Sequence, residues 1–285
     1  MGYASGMTRR LVLASILVAA SVVWPRAQTP YRILLTNDDG VAAPGLAAAA
    51  EALQALGEVT VVAPAENQSA KGTALTTADP IHRTEHRLAI GMAAIGLTAT
   101  PATTVRVALT KILAVRPDLV VSGINNGVNT GLAAYISGTV AGAREAAAQG
   151  IPAIASSLVI KASGDVASFR GAAAATLEVA RLVKQRGLPP GVFLGVNVPE
   201  GTMATYKGFR ATRQGTSQGV VETFEEQQSP RTKKPLYWDV ILEAGATDAE
   251  GTDTWAVQHG YVAVTPYKVG EFDQATFDAL ARTLK

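Results

Sequence analysis

Tyr31-Arg32-Ile33-Leu34-Leu35-Thr36-Asn37-Asp38-Asp39-Gly40 is the stretch on which the fold turns. Its first six residues form a short apolar run suited to a buried strand, and the run stops at a cluster of turn formers. Downstream, Leu46, Ala49, Leu53 and Leu56 recur at helical spacing, which predicts a helix closed by Gly57. Glu58-Val59-Thr60-Val61-Val62-Ala63-Pro64 then reads as a second strand. Strand, loop, helix and strand in that order form the repeating unit of a parallel doubly wound sheet. Leu119-Val120-Val121-Ser122-Gly123 and Ala153-Ile154-Ala155-Ser156 repeat the pattern, with a helix from about Thr139 to Gln149, capped by Gly150, between them. The fold class expected is α/β, a three-layer α/β/α Rossmann-like arrangement around a mostly parallel sheet. Such sheets bind ligands at the carboxyl ends of their strands.

Outward from that core the chain changes character twice. From about Gly215 to Glu250 it is polar, with Glu225, Glu226, Gln227 and Gln228 ahead of Arg231, Lys233 and Lys234, and Tyr237–Ile241 reads as a strand. An extended C-terminal β-hairpin leaving the sheet is expected there. Its unpaired edges would call for a second subunit. At the other end, Thr8-Arg9-Arg10 precedes the apolar run Leu11–Trp24, fourteen residues long. As a helix that run spans about 21 Å, short of the roughly 30 Å hydrocarbon core of a bilayer. Residues 1–27 are therefore expected to be a removed signal peptide, with twin-arginine character, and residues 28–285 a single exported, periplasmic domain. An uncleaved anchor is the alternative, because Pro25 stands two before the Ala27 cleavage position.

Composition narrows the chemistry. The chain has 285 residues, 48% apolar and 17% charged, which excludes disorder and coiled coil. It has no cysteine, so disulfide scaffolds, zinc ribbons, iron-sulfur clusters and thiol nucleophiles are excluded together. The three histidines, His82, His86 and His259, stand in no zinc-binding spacing, and oxygen ligands become the default for any metal. Setting Arg9, Arg10 and Arg26 aside turns the net charge of +2 into about −1. That leaves no electrostatic footprint for duplex nucleic acid, nor for stable membrane association once the leader is gone.

Four loops fall at the predicted strand ends. Asp38 and Asp39 are neighbouring carboxylates that a divalent cation would hold ionised, although a turn with Asp38 as a helix cap reads equally from the tetrapeptide. Ala65–Gly72, with Ser69 and Lys71, follows the second strand and would face the first loop if the two strands are neighbours. Gly123–Gly131 carries three Asn and three Gly in nine residues, more than a structural turn requires. Ser137-Gly138-Thr139 starts the helix after it, either as an anion site or as an ordinary cap. No P-loop, no G-x-G-x-x-G after the first strand and no G-x-S-x-G is present, which argues against nucleotide kinases, P-loop ATPases and serine hydrolases.

Taken together, these blocks resemble the SurE family of metal-dependent 5'/3'-nucleotidases. The resemblance runs in order from Ile33–Gly40 with Ala43-Pro44-Gly45, through Val61–Pro64 with Ser69, Pro117–Asn125 with Gly127, Asn129 and Gly131, and Ser137–Val140. It continues through Asn197-Val198-Pro199, Thr212-Arg213, Tyr237-Trp238, Gly251-Thr252-Asp253 and Gly260–Pro266. It implies a SurE-like fold holding one divalent cation per subunit, Mg²⁺ or Mn²⁺, on Asp38, Asp39, Ser69 and Asn125. It implies that Asn129, Ser137, Gly138 and Thr139 line a phosphate pocket, and that Asp38 or Asp39 handles the attacking water. It also implies a homodimer or homotetramer built through the hairpin. The activity expected is hydrolysis of nucleoside 5'- and 3'-monophosphates or another small phosphomonoester, with an exported, non-catalytic binding protein as the rival reading. Two departures stand out: Thr103 and Thr104 occupy positions where the family usually has an acid and a cysteine, and the leader implies export where relatives are generally cytoplasmic. The first puts base or sugar recognition in doubt.

Overall fold

The computed structural model describes residues 1–2, 30–159, 164–217, 220–243, 248–270 and 272–283. Residues 3–27 of the expected leader lie outside the described residues. In chain order the elements are β1 (Arg32–Thr36), α1 (Pro44–Leu53), β2 (Glu58–Pro64), β3 (Arg83–Arg87), β4 (Ala93–Leu97), α2 (Pro101–Val107), β5 (Leu119–Asn126), α3 (Ala133–Ile136) and α4 (Gly138–Ala148). They continue with β6 (Ala153–Leu158), α5 (Arg170–Arg186), β7 (Val192–Val198), β8 (Phe209–Ala211), β9 (Val220–Gln228), β10 (Pro235–Glu243), α6 (Asp253–Gln258), β11 (Val262–Lys268) and α7 (Gln274–Thr283).

Nine strands form one sheet in the order β3-β4-β2-β1-β5-β6-β7-β11-β8. The run from β4 to β7 is parallel, while β3 on β4 and β11 on β7 are antiparallel. Alternation along the central strands explains the layers. Ile33, Leu35, Leu119, Val121 and Ile154 face one side with α1 and α5, and Leu34, Val120, Ala153 and Ala155 face the other with α2 and α4. Arg106 on α2 and Glu145 on α4 join that second layer through two hydrogen bonds of 2.8 and 3.1 Å. Leu35 is fully buried among these residues. Leu35→Ala is expected to cost about 2–5 kcal/mol in chemical denaturation, the usual range for a cavity of this kind.

The three-layer α/β/α reading holds, with informative differences at the edges of elements. α1 ends at Leu53 rather than Leu56, because the Leu56 N–H bonds the Leu53 carbonyl in a tight final turn. β5 runs on through Asn126, three residues past Gly123. Its pairing with β6 slips by one residue between Ser122 and Asn125, a bulge that lets Asn125 pair with Ser157. β9 and β10 pair antiparallel as a separate two-stranded ribbon, the expected hairpin, with Phe224, Tyr237 and Trp238 exposed on it. Among the described residues no helix is long and apolar enough to cross a membrane.

Because β1 has β2 on one side and β5 on the other, the strand order reverses direction at β1. That switch point opens a crevice beyond the carboxyl ends of β1 and β5.

Candidate active site

Asn37–Gly40 leaves β1 directly into this crevice. Asp38 is buried, at 3% exposure, and Asp39 is partly exposed beside it. The β2 loop does pack on this turn: the Gln68 N–H donates to the Asp38 carbonyl at 2.7 Å, and the Val41 N–H to the Pro64 carbonyl at 2.8 Å. From the β5 side, the Asn126 N–H donates to Asp39 Oδ2 at 3.1 Å. From α4, the Thr139 hydroxyl donates to Asp38 Oδ1 at 2.5 Å. A Cβ on Gly138 would lie 2.7 Å from Asp38 Cβ and 2.8 Å from its Oδ2, so only glycine lets the helix start come this close.

The anion position expected at the start of α4 is thus faced by a carboxylate of the protein itself. Ser137 is the N-cap of α4, its hydroxyl accepting from the Val140 N–H at 3.1 Å. Thr139 is fully buried against Asp38. Burial pushes the Asp38 carboxyl above its ordinary range, while the Thr139 hydroxyl and the amides of Thr139 and Gly138 pull the other way. Asp39 is pushed up to about 6, first by burial and then by the neighbouring charge of Asp38. No basic side chain contributes to either shift.

The remaining expected residues lie at the end of β5 and on the loops that follow β2 and β5. Asn125, 9% exposed, donates from Nδ2 to the Gly127 carbonyl at 2.6 Å, which leaves Oδ1 as the end available to a cation. Ser69 is exposed on the loop one residue beyond the Gln68 contact, its own N–H bonded to Asn67 Oδ1 at 2.7 Å. Lys71 is also exposed. Asn129 is buried farther along the third loop: its N–H donates to Asn197 Oδ1 and its Nδ2 to Ser157 Oγ, both at 2.8 Å. Asn197 and Ser157 were not singled out from the sequence as site residues. Asn197 stood in a matched block without a role, and Ser157 carried no signal.

Two observations bear on a metal. Among the described residues no three His, Asp or Glu side chains cluster to hold one, so a cation here must use the acid pair together with neutral oxygens. Beneath the pair, Asn37 Oδ1, Thr36 Oγ1 and Ser122 Oγ are buried without a protein partner. Two carboxylates with no cationic neighbour, one of them met by the Thr139 hydroxyl, fit the oxygen-ligand preferences of a hard divalent cation such as Mg²⁺ or Mn²⁺.

Thr103 lies away from open solvent. Its hydroxyl accepts from the Thr76 N–H at 2.8 Å and from Thr100 Oγ1 at 3.1 Å, so it braces the 74–76 segment. The Thr103 hydroxyl is thus already engaged within the protein. Thr76 in turn helps to line a cavity of about 310 Å³, with Glu66, Gln68 and Thr98, that adjoins the Ser69 loop. Thr103→Val is expected to lower stability by about 1–3 kcal/mol, the usual cost of stranding a partnered N–H, as read by denaturant midpoint.

A sequence model of the family described as "Survival protein SurE" matches residues 33–220, about two thirds of the chain. The chain belongs to the SurE family. The protein named "5'-nucleotidase SurE 1" from Thermus thermophilus is 45% identical over 260 residues, spanning 89% of this chain and 98% of that protein. "5'-nucleotidase SurE" from Geotalea uraniireducens is 41% identical over 250 residues, with 88% and 96% covered. The crystal structure of the SurE protein from Aquifex aeolicus superposes with a TM-score of 0.73 at 36% identity, covering 89% of this chain and 100% of that one. The matched region of the family contains every residue of the crevice described above, from Asp38 to Asn197.

The electrostatics of this SurE site predict a stability trade. Asp39 has its folded-state pKa raised, so below about pH 4 its carboxyl is neutral in both states and has no effect. Between about pH 4 and 6 the metal-free fold progressively loses stability relative to the unfolded chain, and above that the loss is constant. In EDTA at pH 7.5, Asp39→Asn is expected to raise stability by on the order of 2 kcal/mol, with the gain disappearing below about pH 4. Thermal melts at the two pH values check it.

Proposed function

We propose that the protein is a divalent-cation-dependent phosphomonoesterase that hydrolyses nucleoside 5'-monophosphates, and 3'-monophosphates as well, to nucleoside and inorganic phosphate. The observation that carries this reading is the pair Asp38–Asp39, sunk at the switch point without a basic partner, in a chain closely similar to proteins named 5'-nucleotidase. Asp38, Asp39, Ser69 and Asn125 would hold the cation, and its chemistry when bound is to neutralise phosphoryl charge and lower the pKa of a water. Asp38 is committed to Thr139 and the start of α4, which fixes the geometry of the pair. Asp39 is the more exposed carboxylate and engages one backbone N–H from Asn126, so it is the group placed to orient the attacking water and take its proton. Ser137, Gly138 and Thr139 keep the N-terminal turn of α4 against the reacting phosphate, and Asn129 supplies the second N–H of its carboxamide. The cavity beside Glu66, Gln68 and Thr76 offers room for the leaving nucleoside.

The proposal extends to setting. The chain is exported, loses residues 1–27 and works in the periplasm, and it assembles as a dimer or tetramer through β9 and β10. N-terminal sequencing from a bacterial host is expected to return a chain starting near Gln28; an intact Met1 in the membrane fraction would contradict export with cleavage. Light scattering on the chain from Gln28 should give at least twice the monomer mass of about 27 kDa, at ~0.1 kDa per residue.

A panel of nucleoside 3'- and 5'-monophosphates with Mg²⁺ and Mn²⁺ tests the activity. Phosphate release from both isomers is expected. Tight binding of a nucleotide with no turnover would favour the non-catalytic reading instead.

A further inference from the structure

Asp253 is fully buried and stands at the start of α6, apart from the β1 turn that carries the acid pair. Its carboxylate is occupied almost entirely by backbone donors from three separate segments. Oδ1 accepts the Gly215 N–H and the Thr254 N–H at 2.8 Å each. Both oxygens accept the Gly131 N–H, at 3.2 and 3.1 Å, and the Tyr267 hydroxyl lies 3.4 Å from Oδ2. A buried carboxylate is costly unless several donors meet it, and this one is met from all sides.

The segments it joins give the arrangement meaning. Gly131 lies two residues after Asn129 on the third loop, and Gly215 lies in the segment between β8 and β9. The same two segments are stitched by Gln214 Nε2 to the Gly131 carbonyl at 2.8 Å and by the Leu132 N–H to the Ser217 carbonyl at 3.0 Å. Gly131 has φ +54°, and a Cβ there would lie 2.1 Å from the Ser217 oxygen, so the loop has no slack toward the hairpin base. On its other side Asn129 is held by Asn197. The loop is thus fixed at two points, one at residue 129 and one at residue 131.

We propose that Asp253 is a positioning residue for the hydrolysis, its carboxylate holding Gly131 and through it setting Asn129 against the phosphate. The proposal rests on the reading of Asn129 given under the proposed function. An asparagine at 253 has the same outline but one acceptor oxygen, and it turns an NH₂ group toward backbone N–H donors. The loop then relaxes about residues 129–131 while Asp38 and Ser69 keep their own contacts. Displacements of this kind act on the rate of the bound complex more than on cation binding.

The test compares wild type with Asp253→Asn at a temperature where both are folded. Expected are a kcat lower by about tenfold or more, with KM and the Mn²⁺ concentration for half-maximal rate within about twofold. Faster amide hydrogen exchange over residues 127–132 and 213–217 should accompany it. A kcat within twofold of wild type, or unchanged exchange over 127–132, would overturn the proposal. Should Asp253→Asn not fold, Gln214→Ala removes only the partner of the Gly131 carbonyl, and a drop in kcat of about threefold with the same exchange signature is expected. Unchanged kcat there would equally overturn it. If wild type releases no phosphate with any cation, the hydrolase reading itself fails, and the exchange comparison still decides whether Asp253 holds the loop.

Discussion

Asp38→Asn is expected to leave a folded protein with about a thousandfold or more less activity toward nucleoside monophosphates, a barrier increase of ~4 kcal/mol. The substitution removes one of two charges from the proposed cation site and one of the two carboxylate acceptors, although the amide oxygen can still accept from the Thr139 hydroxyl. Among the described residues no third acid clusters with the pair to replace that charge. The fold should survive, because burial already disfavours the ionised carboxyl and an amide of the same shape relieves that cost. Steady-state phosphate release, set beside a thermal melt in EDTA, gives both halves of the result. Activity within tenfold of wild type would contradict the role assigned to Asp38.

Gly138→Val is expected to reduce kcat/KM by about a hundredfold or more, through geometry rather than charge. A Cβ at this position already falls 2.7 Å from Asp38 Cβ, and Asp38 has no open space to retreat into at 3% exposure. The helix start and the carboxylate must separate, which breaks the contact of Thr139 with Asp38. Overpacking of this sort costs about 1–3 kcal/mol of stability. Gly138→Ala should move both readouts in the same direction by less. Kinetics on the purified variants together with denaturant unfolding check this, and wild-type kcat/KM in Gly138→Val would show that the close approach is incidental.

The layers of the fold were legible because β1, β2, β5 and β6 are continuous apolar runs, the mark of strands covered on both faces, and because turn formers stop the first of them. The extension of β5 through Asn126 was not legible, since Asn and Gly have low strand propensity and pair here only through a bulge with β6. β3, β4, β7, β8 and β11 were not read as strands, three of them for a related reason. β3 is the polar sequence Arg83–Arg87 at an edge, β8 has three residues, and β11 contains Pro266. In the site, the acid pair and the third loop announced themselves by type and position. Thr139, expected to line the phosphate pocket, also gives its hydroxyl to Asp38, a contact with no local sequence signal because it joins residues 101 positions apart. Asn197 and Asp253 lie 68 and 122 residues from the loop they hold, and no local pattern encodes contacts of that range.

The most direct test of the central claim is phosphate release from a nucleoside 5'-monophosphate by chelator-stripped protein titrated with Mn²⁺. The account predicts no detectable turnover in EDTA and a rate that saturates as one cation binds per subunit, with Asp39→Asn failing to respond. A full rate in excess EDTA, from protein shown to be free of metal, would contradict it.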